Sequence, residues 1–276
     1  MSSAAASVSI PRLTRRSRVS QARVVLSEWT KFVSLRSTLW SLGVGVLLTI
    51  AFPIAFAAVT GSHWSHMSAS DRAGRHPLDI ALAGVNVAQL AIAVLGVLVI
   101  TGEYSTGMIR STLIAVPKRL PVLWAKLAVH AVVSFVLLVP SVLIGFFASQ
   151  AILSRHHILQ ISFGAPGVAR SVLGGAVYVM LVGIFALGIG AIVRSTAGGI
   201  ATFAGIFFVI PPLMNILPAS WNDAISKYLP SEAGRQLFSL HQGAHSLSPL
   251  WGGLLMVGYC AVAVAIAAVV LVRRDA

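Results

Sequence analysis

Long apolar stretches with no charged side chain recur six times along the chain. A membrane-spanning helix needs about 20 mostly apolar residues, because the hydrocarbon core is about 30 Å thick and each helical residue rises about 1.5 Å. These stretches are apolar on every face, whereas the strands of a membrane barrel would alternate polar and apolar residues. The pattern predicts an all-α membrane protein with six transmembrane helices, at residues 37–59, 80–101, 127–149, 171–193, 195–217 and 248–272.

The segment 21–36, just before the first stretch, has amphipathic helical spacing. Its apolar side chains recur every three to four residues, at Val25, Trp29 and Phe32, with Leu26 and Val33 beside them. Glu28 and Lys31 are three residues apart, so a helix would let them form an ion pair. Tryptophan at such a position suits the depth of the lipid headgroups. The pattern predicts an amphipathic interface helix, which is either a plain membrane anchor or a docking surface for a cytoplasmic partner.

The composition excludes most soluble classes of protein. Apolar residues make up 57% of the 276 residues and charged residues only 10%, which is too little to cover a soluble surface. The net charge is nevertheless +13, which by itself would suggest binding to nucleic acid or to an anionic membrane. The single cysteine, Cys260, rules out an intrachain disulfide.

The positions of the basic residues decide between these readings. With six spans both termini lie on one side, and fourteen of the 20 Lys and Arg residues fall there: Arg12, Arg15, Arg16, Arg18, Arg23, Lys31, Arg36, Arg110, Lys118, Arg119, Lys126, Arg194, Arg273 and Arg274. Cytoplasmic loops are the ones enriched in Lys and Arg. The bias predicts a multi-pass protein of a bacterial plasma membrane with both termini in the cytoplasm, and it argues against nucleic acid as a partner. Residues 1–20 are predicted to be a disordered basic cytoplasmic tail, and residues 37–276 the transmembrane domain.

Motifs that would identify an enzyme are missing from the sequence. It has no G-x-x-x-x-G-K-[ST] loop for ATP, no G-x-S-x-G nucleophile elbow and no H-E-x-x-H zinc motif. Two pairs of histidines, His63/His66 and His241/His245, have metal-ligand spacing but no third ligand nearby, so no metal site is predicted. We therefore expect neither catalysis nor a cofactor bound by this chain.

Polar residues within the apolar stretches are few. Asn86 and Gln89 lie three apart in the second stretch, and Asn215 lies near the end of the fifth. Such groups usually face other helices, so they either bond between helices or line a translocation path. His130 and Ser134, four apart in the third stretch, are expected to be structural. Consecutive prolines at 211–212 should break the fifth helix and leave residues 213–217 as a separate turn.

The loop after the second stretch carries the most specific motif. Residues 102–113 read GEYSTGMIRSTL, in which Gly102 and Gly107 allow a sharp reversal and residues 106–113 can form a short helix along the membrane, with Arg110 facing the cytoplasm. This loop, the segment 27–38 (SEWTKFVSLRST) and, more weakly, 228–234 (YLPSEAG) resemble the ABC-2 type permease subunits of bacterial ABC exporters, particularly those of actinobacteria. The resemblance covers about residues 21–274. It departs from the family at Met108, where threonine is frequent.

The resemblance implies a division of labour between subunits. Such permeases pair, as a homodimer or with a paralogue, and two separate cytoplasmic ATPase subunits bind ATP and Mg. The loop between spans two and three would act as a coupling helix on the ATPase, through Gly102, Glu103, Tyr104, Thr106, Gly107, Arg110 and Ser111. The interface helix would provide a second contact, through Glu28, Trp29, Lys31, Phe32 and Arg36. On this reading Asn86, Gln89 and Asn215 belong to the translocation path.

Two other classes of function remain open from the sequence. A membrane-embedded interaction or assembly protein would keep the helical bundle but would need no loop seated on an ATPase. An intramembrane enzyme would need catalytic groups near the bilayer, for which the outer-loop histidines are candidates. A carrier driven by ions is disfavoured, because no apolar stretch contains a carboxylate.

Overall fold

The computed structural model describes residues 20–116, 118–240, 243 and 246–273. Most of the predicted tail lies outside these ranges, as do His241, His245 and Arg274. Within them the regular structure is entirely helical: α1 (Gln21–Ser34), α2 (Arg36–His63), α3 (Ala69–Ala73), α4 (Pro77–Ala81), α5 (Ala83–Ser105), α6 (Met108–Ala115), α7 (Leu120–Arg155), α8 (Val168–Val193), α9 (Thr196–Ala204), α10 (Ile210–Met214), α11 (Ala219–Ile225), α12 (Pro230–Arg235) and α13 (Pro249–Arg273).

Six helical segments are long and apolar enough to cross a membrane, which confirms the predicted number of spans. They are Arg36–His66, Pro77–Ser105, Leu120–Arg155, Val168–Val193, Thr196–Met214 and Pro249–Arg273, hereafter spans 1 to 6. Span 3 differs most from the prediction, because its helix begins at Leu120, with Pro121 in its first turn, and not at residue 127. Proline is well tolerated there, since the first amides of a helix have no intrahelical partner. Lys126 consequently lies inside the helix.

Span 4 is the centre of the bundle. Its helix α8 packs against α5, α7 and α13, and two thirds of its most apolar window is buried. Glycine makes the closest approach possible: a Cβ at Gly96 would collide with the backbone of Gly183. Small residues at such contacts let helix backbones meet where lipid supplies no hydrophobic drive for association. Span 5, by contrast, has only 17% of its window buried, and span 1 has 28%.

The predicted break at the double proline is wrong. The chain turns from α9 into a π-helical turn at Gly205–Val209 and then continues as α10 through Pro211 and Pro212 to Met214. Prolines lack an amide hydrogen, and their rings crowd the preceding turn. The wider π turn just before them accommodates both effects, so the helix continues through both prolines and ends at Met214.

Short helices cover the two ends of the bundle. One end, called here the α6 end, carries α1, α6 and the carboxyl terminus of α13. The other, called the α12 end, carries α3, α4, α11 and α12.

Candidate functional site

Helix α1 turns a charged residue inward. Its buried side chains are Val24, Glu28 and Phe32, while Leu26 and Trp29 are exposed. The helix is present where the pattern predicts it, but its buried face runs through Glu28 and Phe32, whereas Trp29, predicted on the apolar face, is exposed. A carboxylate is buried only where partners compensate for its lost hydration.

Those partners form a buried charge network of two carboxylates and two ammonium groups: Glu28, Lys31, Glu103 and Lys126. Lys31 Nζ lies 2.8 Å from Glu28 Oε1 and 2.8 Å from Glu103 Oε1. Lys126 Nζ lies 2.6 Å from Glu28 Oε2 and 2.7 Å from Glu103 Oε1. The predicted pairing of Glu28 with Lys31 is therefore confirmed, within a larger arrangement that only the fold assembles.

The charge network ties four helices together. Glu28 and Lys31 come from α1, Glu103 from the last turns of α5 and Lys126 from the second turn of α7. Lys31 also donates to Thr112 Oγ1 of α6 at 3.2 Å, and Lys126 donates to the Val99 carbonyl at 3.2 Å. A displacement of α1 or α6 must therefore pull on the ends of spans 2 and 3 or separate buried opposite charges.

Burial makes this arrangement electrostatically strong. The side chains of Lys126, Glu28 and Glu103 are 2%, 4% and 7% exposed, and Lys31 is 22% exposed. Burial alone would lower the pKa of Lys31, but its hydrogen bonds and charge interactions with Glu103 and Glu28 outweigh that effect and raise the pKa above 10.5. Lys31 is thus positively charged at any physiological pH.

The predicted coupling residues fall into two groups. Glu103 and Tyr104 are at least partly buried near the end of α5, and Gly102 lies inside that helix, so it makes no turn. The reversal is made at Gly107, whose φ of 71° is a left-handed conformation that suits glycine. Thr106 caps the end of α5 by donating to the Gly102 carbonyl at 2.8 Å.

Helix α6 itself is the exposed part of this region. It begins at Met108, two residues later than predicted, and buries Ile109 and Leu113. Arg110, Ser111 and Ile114 are exposed on it, and so are Trp29 on α1 and Arg36 at the start of α2. A groove of about 420 Å³ separates α1 from α6, lined among others by Arg23, Ser27, Ser111, Ala115 and Val116.

Two arginines join the end of span 6 to the same region. Arg119 donates to the Leu271 carbonyl at 3.1 Å, and Arg194 donates to the Val270 carbonyl at 3.1 Å. These carbonyls lie in the last turn of α13, where a positive charge also interacts favourably with the helix dipole. The Arg194 guanidinium lies 5.1 Å from the ring centroid of Tyr104. Tyr104 therefore connects the loop motif to span 6.

The residues predicted for a translocation path are not brought together. Gln89 accepts a hydrogen bond from Tyr178 of span 4 at 2.5 Å, which is the interhelical alternative for that residue. Asn86 lines a cavity of about 390 Å³ at the α12 end, and Asn215 lines a neighbouring one of about 610 Å³. Glu232, Arg235 and Gln236 line both cavities.

Sequence reasoning missed Lys126 and Thr112. Lys126 was counted only as a basic residue that sets orientation, because the charge-free window begins one residue later. The available signal was its spacing: Lys126 is four residues before His130 and directly precedes an apolar run, so a helix starting earlier would place it on the buried face.

Comparison with protein-family models gave no match, and comparison with curated proteins gave none either.

Proposed function

We propose that this chain is the permease subunit of an ATP-driven exporter, which forms the membrane path and couples it to a separate cytoplasmic ATPase. The observation that carries the proposal is the buried charge network. It joins an exposed surface made by α1 and α6 to the ends of spans 2 and 3, as a device that transmits movement from a partner into the membrane would require.

The exposed side of the network suits a protein partner. Ile114 is 79% exposed and Met108 is 43% exposed on α6, next to Arg110 and the groove between α1 and α6. Apolar side chains beside basic ones are typical of docking surfaces. The sequence of this chain has no ATP-binding loop, so the energy source is placed on the partner, which would bind ATP and Mg.

Coupling follows from the rigidity of the network. A partner that binds one bundle arrangement more tightly than another shifts the population toward that arrangement. Because Glu28 and Lys31 are held to Glu103 and Lys126 by contacts of 2.6 to 2.8 Å, a shift of α1 and α6 carries spans 2 and 3 with it. ATP-dependent closure of the partner would thereby change the shape of the membrane bundle.

A second permease copy, identical or paralogous, is the proposed neighbour within the membrane. Spans 1 and 5 have the least buried windows, at 28% and 17%, and thus offer the largest uncovered faces. The two cavities at the α12 end, which contain Asn86 and Asn215, are the proposed exit of the path.

The test compares two isoleucines of equal exposure at opposite ends of the bundle. Ile114 on α6 and Ile216 after α10 are both 79% exposed. We expect Ile114→Glu to reduce ATPase activity co-purifying with the protein from native membranes at least tenfold, whereas Ile216→Glu leaves it unchanged. A wild-type protein that carries no ATPase, or equal losses in both variants, would favour an assembly protein that transports nothing.

A second measurement separates docking from coupling. Glu103→Ala disrupts the buried network without altering the exposed side of α6, so the ATPase should still bind while transport is lost. Arg110→Ala changes the exposed side and should weaken binding itself. If neither variant alters transport or ATPase activity, the proposed coupling role is wrong.

A further inference from the structure

The two cavities at the α12 end are neighbours that share Glu232, Arg235 and Gln236 as lining residues. Their volumes, about 390 Å³ and about 610 Å³, are within the range of small-molecule sites. Among the described residues, six of the eight that line the smaller cavity and nine of the thirteen that line the larger one are polar. A hydrocarbon would leave these polar groups without water or partners, so the lining favours a hydrophilic ligand.

The charges of the lining specify the ligand further. The smaller cavity is lined by two carboxylates, Asp79 and Glu232, and by the guanidinium of Arg235. Glu232 and Arg235 compensate each other, because Arg235 Nη1 lies 3.3 Å from Glu232 Oε1. The larger cavity adds Asp223 and Lys227, which are one charge of each sign. The negative charge of Asp79 is therefore left over.

Asp79 is accessible to a ligand. It is exposed in the first turn of α4, and its carboxylate has no hydrogen bond or ion pair with the residues that the structure describes. On its other side it lines a pocket with Asp71 and Arg75, whose charges offset each other. A cation bound at Asp79 would thus be compensated by a carboxylate that water already reaches, and no buried group would lose a partner.

Neutral hydrogen-bonding side chains lie in the same two cavities. Asn86 is exposed in the first turn of α5, and its side-chain amide has no partner in the described part of the chain. In the larger cavity Asn222 Nδ2 donates to Asn215 Oδ1 at 3.4 Å. A side-chain amide offers both donors and acceptors without a charge. These groups suit a ligand whose body consists of amides or hydroxyls.

We propose that these cavities bind a hydrophilic organic cation, with its ammonium group at Asp79 and its neutral hydrogen-bonding body beside Asn86. Two sources share this chemistry: a short peptide amine and an amino sugar. To call this ligand the exported substrate rests on the proposed function, in which the cavities are the exit of the path. The binding site itself needs neither ATP nor a partner subunit.

Ligand-observed NMR titration of the purified full-length protein in a non-ionic detergent, without nucleotide or ATPase, measures the binding. Triglycinamide carries one positive charge, N-acetyltriglycinamide carries none, and propylamine carries the charge without the amide body. We expect triglycinamide to bind about fivefold more tightly than either, since an accessible ion pair and a hydrogen bond each contribute modestly. Equal binding of the three would overturn the proposal. Methyl glucosaminide, measured beside triglycinamide, tells whether hydroxyls or amides make the better body.

Three variants locate the site. Asp79→Asn removes the charge and keeps the shape, so the preference for triglycinamide over its acetylated form should vanish. Asp71→Asn is the matched control, because Asp71 is also a first-turn acid of a short helix and lines neither cavity, and the preference should remain. Asn86→Leu should weaken triglycinamide about fivefold and leave propylamine unchanged.

The proposal is overturned if the preference survives Asp79→Asn, or if Asn86→Leu binds triglycinamide as the wild type does. These measurements use the permease alone, so they fail separately from the proposed transport function. A protein that carries no ATPase but shows the expected preferences would retain this binding site and lose only the description of the ligand as a substrate.

Discussion

The two ends of the bundle differ in whether their charged side chains are buried or exposed. At the α6 end, four charged side chains form one buried network with contacts of 2.6 to 2.8 Å. At the α12 end, Arg235 and Glu232 lie 3.3 Å apart in a pair that is about half and one third exposed, at the edge of open cavities. Glu232 and Arg235 are three residues apart on one helix, as Glu28 and Lys31 are at the other end.

The difference teaches that burial and partners, and not the residue types, determine what an ion pair contributes. An exposed pair is screened by water and contributes little to stability. A buried pair fixes the relative positions of the helices that carry it. Once the charges are dehydrated, removing one leaves the other buried without a compensating charge. The α6 end is therefore the rigid end, and the α12 end is the one whose charges face open space.

The largest effect should follow from Lys126→Met. This change leaves two buried carboxylates with a single ammonium, and breaking a buried pair typically costs about 3 to 5 kcal/mol. We expect a loss of that size in the free energy of unfolding, measured by denaturant titration in mixed micelles. Lys118→Met, at an exposed lysine of the same end, should change it very little. Equal losses for the two lysines would contradict the comparison.

A smaller effect is expected for His130→Leu, which separates burial from partnership. His130 is fully buried in span 3, one turn beyond Lys126, and neither ring nitrogen has a hydrogen-bond partner. No polar contact is lost on substitution, so a near-isosteric apolar replacement should cost less than about 1.5 kcal/mol. The same unfolding titration measures it. A loss as large as that of Lys126→Met would show that His130 has a partner in the membrane.

The smallest effect should come from Arg235→Ala. Double-mutant measurements on exposed ion pairs give about 0.2 to 1 kcal/mol, and Arg235 is about half exposed. We expect a change in the free energy of unfolding near the lower limit of that range, and we expect it to vanish in high salt. A loss of several kcal/mol would mean that the α12 end is as rigid as the α6 end.

Much of the fold could be predicted, because lipid imposes simple rules on sequence. The six spans, α1 and the short helix after span 2 all follow from apolar windows, helical spacing and a glycine turn. The errors have physical causes. The double proline did not break span 5, because the π turn before it accommodates the two residues that lack an amide hydrogen. Span 3 was predicted too short, because Lys126 was assumed to lie outside the helix.

The candidate site was predicted in parts. Glu28, Lys31 and Glu103 were singled out, but as separate contacts for an external partner, and Lys126 was not. Gln89 had two alternatives from the sequence, and the Tyr178 hydroxyl supports the structural one. Contacts between residues 72 to 98 positions apart have no local signal, so no spacing rule could pair them.

What the sequence alone determined about this protein is that it has six helices suited to a membrane, because the hydrocarbon core requires long uncharged helical runs and tolerates little else. Only the tertiary structure decided where its few charges act. The network of Glu28, Lys31, Glu103 and Lys126 exists because packing brings α1, the end of α5 and the start of α7 together and excludes water from them. Only in that setting do ordinary basic and acidic residues join separate helices into one unit.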